Sequence, residues 1–268
     1  MRQIGPRLKE HEIGRANLVA AFPKKSTDEI DAILDGVWDN LGRVGAEFAH
    51  IDHLRILEPD GPARAPGGVE PEEIIYESSS YARVQRLRLD GKPALLFTAH
   101  LANWELPAYV ATAGRLPLTV LYRRLKNTAV NDAVLDIRTG TLGTLVATGL
   151  DAPIKLRRAL EEGSHVAMVV DQHLSQGVDV TFFGRRCKAN PLIAWLARDV
   201  ECPIHGARTV RLPDRDRFRV EITEAIEPER DADGRIQLQG TMQRITDVVE
   251  GWVREHPEQW LWVHRRWR

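Results

Sequence analysis

A chain of 268 residues is long for one hydrophobic core, yet α/β folds reach this size as single domains. Apolar residues make up 43% and charged residues 28%, a balance that argues against an integral membrane protein, and a net charge of −1 singles out no polyanionic partner such as nucleic acid. The two cysteines, Cys187 and Cys202, form neither a disulfide framework nor a metal-ligand spacing, which suits a reducing compartment.

The opening Met1-Arg2-Gln3-Ile4-Gly5-Pro6 meets polar residues at once and offers no signal-peptide apolar region. No later stretch approaches the roughly 18 consecutive apolar residues of a membrane-spanning helix. The first clear element begins at Ser26-Thr27-Asp28-Glu29, a capping box in which Ser26 and Glu29 satisfy exposed amides reciprocally. Ile30, Ile33, Leu34, Val37, Trp38, Leu41, Val44 and Phe48 follow at helical spacing, which predicts an amphipathic helix. Residues 58–71, rich in Pro and Gly, read as a loop.

From residue 92 onward short apolar runs alternate with helical segments. Strands are predicted at 93–98, 116–122, 166–170, 203–210 and 218–222. Helices are predicted from Asn103, over 153–162, over 191–198 and over 239–255, the last with Met242, Ile245, Val248, Val249 and Trp252 on one face. This alternation favours an α/β architecture with a mixed, largely parallel sheet. With no internal repeat and no dividing linker, one domain over 1–268 is expected, with a helical part over 1–60 and an α/β core over 92–268.

Two segments place polar residues at the carboxyl end of an apolar strand, where active sites of open α/β sheets gather. In Thr98-Ala99-His100-Leu101-Ala102-Asn103-Trp104-Glu105 a histidine is followed five residues later by a carboxylate. Histidine can accept a proton near neutral pH, and a carboxylate can fix its tautomer and stabilise its cation. The plainer reading is a packed strand end with an acid at a helix start. In Val169-Val170-Asp171-Gln172-His173, Asp171 could position a cationic or hydroxyl group, and Phe182-Phe183-Gly184-Arg185 downstream could shape an apolar slot or simply turn the chain.

Basic residues recur after strand candidates: Arg123, Arg124 and Lys126, then Arg138, Arg157 and Arg158, then Arg185, Arg186 and Lys188. Convergent, they would suit acceptor phosphates or an acidic carrier protein; for Arg157 and Arg158 a solvated face is the better reading. Arg138 lies between apparently buried segments and would need a partner. The end of the chain sets Trp260, Trp262 and Trp267 among Arg265, Arg266 and Arg268. That pattern fits a membrane interface or tryptophans packed on the core. Of these two, a peripheral membrane contact through the tryptophans and arginines is the expectation carried forward.

His100-Leu-Ala-Asn-Trp-Glu105, Asp171-Gln172 with Phe182-Phe183-Gly184-Arg185, and the terminal Gln259-Trp260-Leu261-Trp262-Val263-His264-Arg265-Arg266-Trp267 resemble the lipid A late acyltransferases. These are the lauroyl- and myristoyl-transferases within the lysophospholipid acyltransferase superfamily. Arg15-Ala-Asn17-Leu18 and Ala21-Phe22-Pro23 resemble that family's early region, so the likeness runs along nearly the whole chain. It implies an acyl-acyl carrier protein as donor, a Kdo-bearing lipid A precursor as acceptor, no cofactor, and a place on the cytoplasmic face of the bacterial inner membrane. His100 and Glu105 are implied as the catalytic pair, with Glu105 holding the imidazole. Arg138, Asp171, Arg123, Arg124, Asn103, Gln172, Phe183 and Gly184 are expected to bind substrate, and helix-start amides after His100 to hold the oxyanion. The family's amino-terminal anchor has no counterpart here, so attachment is expected to be peripheral, or the start shortened. Open alternatives are another glycolipid or phospholipid acceptor, a metal-dependent hydrolase using His100, Glu105, Asp171 and His173, and an inactive lipid-binding homologue.

Overall fold

The capping box forms as read: the Ser26 side chain accepts from the Glu29 amide, Glu29 accepts from the Ser26 amide, and helix α2 runs over Thr27–Phe48. Its apolar stripe is buried except at Leu41 and Phe48, which are half-buried. Helix α1 (Lys9–Ala21), which lacks a clear apolar periodicity, precedes it and packs against it. The computed structural model describes residues 1–57, 73–213 and 217–267, so the loop expected over 58–71 lies outside the described residues.

The remaining elements in chain order are strands β1 (Arg55–Leu57) and β2 (Glu73–Tyr76), helix α3 (Ser78–Leu89), β3 (Leu95–Thr98), α4 (Leu106–Ala113), β4 (Leu118–Tyr122), α5 (Thr128–Thr141), β5 (Thr144–Ala147), α6 (Ala152–Glu161) and β6 (His165–Val169). A hairpin of β7 (Val178–Phe182) and β8 (Arg185–Ala189) follows, then α7 (Leu192–Val200), β9 (Ile204–Arg211), β10 (Arg217–Ile222) and α8 (Leu238–Glu255). The core elements predicted from periodicity are present with ends shifted by one to three residues. Those not predicted, such as β1, β2, β5 and β7, are short or have few apolar residues to announce them.

Eight strands make one mixed sheet in the order β1-β2-β10-β9-β3-β6-β4-β5, in which the β9–β10 pair is antiparallel and the others are parallel. Helices cover both faces, as parallel strands buried on both sides require. Along β3 the faces alternate. Leu95 and Phe97 join the core under α2, α6, α7 and α8, while Leu96 packs with Leu87 of α3 and Ala111 of α4. The arrangement is the α/β layered architecture expected.

One consequence of register matters for the site. β3 and β6 are adjacent and parallel with Thr98 opposite Val169. Residues two positions beyond each strand end, His100 and Asp171, therefore meet at the carboxyl edge of the sheet although 71 residues separate them.

Candidate active site

His100 is held from three sides. Its backbone N–H donates to Asp171 Oδ2 at 2.8 Å, and its Nδ1 lies 2.7 Å from Asp171 Oδ1. The edge of its ring meets Trp104 at a centroid separation of 5.0 Å. Asp171 is buried and accepts a third bond, from the indole Nε1 of Trp260 at 2.7 Å. With three donors around it, the carboxylate is an acceptor throughout, so Nδ1 carries the imidazole proton and Nε2 keeps its lone pair. The exposed Gln172 amide nitrogen lies 3.4 Å from Nε2. Burial disfavours charge on both groups and is the largest single influence on each, but their mutual attraction and hydrogen bonding prevail. The Asp171 carboxyl is held well below its ordinary value and the His100 imidazolium is stabilised above its own. Glu105 adds to the stabilisation of the imidazolium, and Arg138 opposes it.

The expected contact between Glu105 and His100 does not form. The Glu105 carboxylate is taken by Arg138, whose Nε donates to Oε2 at 3.2 Å and whose Nη2 pairs with Oε1, and by the Trp104 indole at 3.2 Å. Glu105 lies just ahead of α4, whereas the next strand of the sheet delivers Asp171 directly to the ring. Arg138 is thereby supplied with the partner its setting demanded, and its guanidinium also lies over the Phe48 ring at 5.7 Å.

Three further expectations change. Asn103 is fully buried and braces the loop, donating to Glu47 Oε2 at 3.0 Å while its Oδ1 receives the Glu105 amide at 3.2 Å, so it is unavailable to substrate. Phe183 and Gly184 are the two central residues of the β7–β8 hairpin, both with positive φ (52° and 69°), the geometry of the mirror-image turns that match strand twist. Phe183 is buried against Phe22 and Trp262 and lines no open slot. The amides of residues 100, 101, 102, 105 and 106 are all engaged within the protein, which narrows the expected oxyanion donors after His100 to the amides of Asn103 and Trp104.

Basic residues do not converge on one mouth. Arg157 and Arg158 lie on the outer face of α6, paired with Glu161, Asp199 and Glu162. Arg185 stacks on Trp267 and, with Arg186 and Lys188, belongs to the hairpin strand β8. Arg123, Arg124 and Lys126 are exposed on the loop after β4, at the same sheet edge as His100.

The terminal tryptophans pack inward. Trp260 and Trp262 are almost wholly buried, and the half-buried Trp267 donates to the Phe182 carbonyl at 3.1 Å. Arg266 is buried as well and donates to the Lys188 carbonyl. The membrane contact expected of this segment is therefore overturned: its aromatic surface is spent on the core and on Asp171.

Sequence reasoning missed a buried network beneath the loop after β3. Arg211 on β9 pairs with Glu47 through both Nη atoms, at 2.5 and 3.0 Å, and donates to Asn40 Oδ1 at 3.0 Å. Asn40 donates in turn to the Ala102 and Gln259 carbonyls. The signal was present: Asn40 and Glu47 are polar residues on the otherwise apolar stripe of α2.

A hollow of about 450 Å³ lined by Arg83, Arg208, Arg219, Glu221, Trp252 and Glu255 shares no residue with the His100 site. Arg208 there already pairs with Glu221 and Glu255, so its charge is answered within the protein. Among the described residues no three His, Cys, Asp or Glu side chains are grouped so as to hold a metal ion, so the ligand set imagined from His100, Glu105, Asp171 and His173 does not assemble. Both cysteines are buried, and burial pushes their thiols up, Cys202 to about 11, far from a nucleophile's range.

An α/β domain with a buried histidine–carboxylate pair at the carboxyl edge of its sheet carries a group that can take up a proton where ligands of such sheets gather. The family of bacterial lipid A biosynthesis acyltransferases matches residues 2–268, and the chain belongs to it. It is an acyltransferase, with an acyl donor and a lipid acceptor as its general substrates. No individual curated protein matches the chain.

Proposed function

We propose that this acyltransferase moves a fatty-acyl chain from an acyl-acyl carrier protein to a hydroxyl of a Kdo-bearing lipid A precursor, with His100 as general base. The observation that carries this reading is the 2.7 Å contact between His100 Nδ1 and Asp171, which leaves the Nε2 lone pair for a substrate proton. His100 Nε2 takes the proton of the acceptor hydroxyl as that oxygen attacks the thioester carbonyl. The tetrahedral intermediate then expels the carrier thiolate, which recovers the proton from the imidazolium, so an ester and a free thiol are released. Asp171 stabilises the transient cation, in place of the Glu105 expected from the motif. Glu105 instead holds Arg138, and the two act on the His100 imidazolium in opposite senses. Gln172, Arg123 and Arg124 remain the candidates for binding the acceptor or the carrier. A carrier-borne donor supports a site of action on the cytoplasmic face of the inner membrane.

The test uses purified protein, acyl-acyl carrier protein and the Kdo-lipid A precursor, with the product read by mass spectrometry. His100→Ala is expected to lower the rate about 10²- to 10⁴-fold while circular dichroism stays native-like, with the thermal transition lowered because buried Asp171 loses one partner. Near-native transfer by that variant, or no transfer from this donor to this acceptor by the native protein, overturns the reading.

A further inference from the structure

Among the described residues, the large apolar side chains left exposed fall into an unequal distribution. Met1, Ile4, Leu8 and Val19 lie in the amino-terminal segment and Leu89 ends α3, but the other six are Leu125, Val130, Leu150, Ile154, Val169 and Leu174. Leu125, Leu150 and Leu174 stand in the loops after β4, β5 and β6, Val169 ends β6, and Val130 and Ile154 lie in the first turns of α5 and α6, all toward the edge of the sheet that also carries His100 and Asp171. Leu150 is completely exposed and Ile154, in the first turn of α6, is 70% exposed.

Isolated exposed leucines need no explanation, but a cluster on one rim does. Nothing in the packing of β4, β5 or β6 requires apolar residues at loop tips, where turn-forming polar residues are the rule. Arg123, Arg124 and Lys126 stand exposed among them, and Lys155 flanks Ile154. Asp151 is the acid paired there, with Lys155, and it also lies within electrostatic reach of Arg124, which places the β4 and β5 loops side by side. With the exposed Asp132 beside Val130 counted, Arg123, Arg124, Lys126 and Lys155 still outnumber Asp132 and Asp151, a local excess of cations in a chain whose net charge is −1. The combination matches an anionic bilayer, whose phosphates attract the cations and whose acyl region receives the apolar tips.

We propose that the loops after β4, β5 and β6 form the membrane-docking surface, seating the protein on anionic lipid with the His100 edge facing the bilayer. This deepens the lipid-acceptor reading of that site, giving the acceptor a short path from the bilayer to the base. The surface replaces the terminal tryptophan segment as the lipid contact.

The experiment is flotation of the full chain with vesicles of equal parts phosphatidylcholine and phosphatidylglycerol, which needs neither acceptor nor catalysis. Leu150→Asp with Ile154→Asp is expected to lower the vesicle partition coefficient roughly tenfold or more, and Arg123→Glu with Arg124→Glu similarly. The second effect should shrink in high salt, where exposed charges are screened. Thermal unfolding should stay near native because these side chains touch solvent. His100→Ala should float like the native protein, so loss of the catalytic reading would leave this one standing. The leucine–isoleucine variant should retain its rate on detergent-dispersed acceptor. Unchanged partition of both rim variants overturns the proposal. So does control of partition by Ile4→Asp with Leu8→Asp at the amino-terminal segment. A rise in KM for the carrier-borne donor without any change in flotation would also overturn it, by marking the rim as a protein-docking face.

Discussion

Replacing Asp171 by asparagine preserves side-chain volume and removes one charge and one acceptor, which isolates what the carboxylate does for His100. In the native protein Oδ2 receives the His100 amide and the Trp260 indole, while Oδ1 faces His100 Nδ1. An asparagine can keep the first two bonds only by placing its carbonyl oxygen there. Its NH2 group then confronts Nδ1, and the imidazole must turn that nitrogen into the acceptor. The ring proton moves to Nε2 and the base is lost. The opposite amide orientation would set NH2 against two N–H donors, which costs more. A wrong tautomer of this kind lowers turnover about 10³- to 10⁴-fold. Stability should fall by about 1–3 kcal/mol for the disrupted buried acceptor, a decrease of roughly 2–10 °C in Tm.

The pH behaviour provides a second readout. His100 is shifted above its ordinary 6.5, so the acid limb of kcat/KM in the native enzyme should turn above that value. In Asp171→Asn the charge that raises it is gone while burial, which lowers it, remains, so the limb of the residual rate should move to lower pH. For stability, the lowered Asp171 contributes above its ordinary 3.8, and that contribution is lost as pH falls through its folded value. The raised His100 contributes fully below 6.5, and its contribution is lost as pH rises through its folded value. The stability gap between the two proteins should therefore be widest from about pH 4 to pH 6.5. A kcat within threefold of native with an unmoved acid limb would refute the orienting role of Asp171.

Glu105→Gln should strip Arg138 of its charge partner and destabilise the protein by about 1–3 kcal/mol, less than for a fully buried pair because Arg138 retains some solvent; urea unfolding of Glu105→Gln and of Glu105→Gln with Arg138→Gln should show that the second change recovers part of the loss. Glu47→Gln leaves the deeply buried Arg211 uncompensated and should cost about 3–5 kcal/mol by the same measurement, and a change below about 1 kcal/mol would mean that the network under the loop is not strained by losing its charge.

Periodicity made α2, α6, α8 and the central strands legible, because each has enough apolar residues on one face to declare its period. It could not show which strands lie side by side. β4 and β5 come between β3 and β6 in the chain, yet β6 sits next to β3 in the sheet. The carboxylate nearest to His100 in sequence, Glu105, was accordingly expected where the sheet delivers Asp171. Both segments were recognisable as polar residues ending an apolar strand, but their juxtaposition depends on strand order, a property of the whole fold. The terminal Trp-Arg pattern failed for a related reason: tryptophan suits a headgroup layer and a protein core equally well, and only the position of Asp171 gives the Trp260 indole its partner.

The end of the chain and the second helix both converge on the loop after β3. The loop is irregular, with Ala102 in the left-handed region at φ 45° and fully buried, so its backbone groups cannot turn to water. Gln259 accepts from the Ala102 amide, Leu261 donates to the His100 carbonyl, and Asn40 donates to the Ala102 carbonyl. Asn103 fixes the start of α4 and is itself held by Glu47, which Arg211 neutralises. A histidine at a strand end would otherwise ride on a flexible turn. Here the His100 carbonyl, both backbone groups of Ala102 and the Asn103 side chain are answered from α2 and the chain's last segment, which lets one carboxylate beyond β6 decide which imidazole nitrogen remains open to the acceptor.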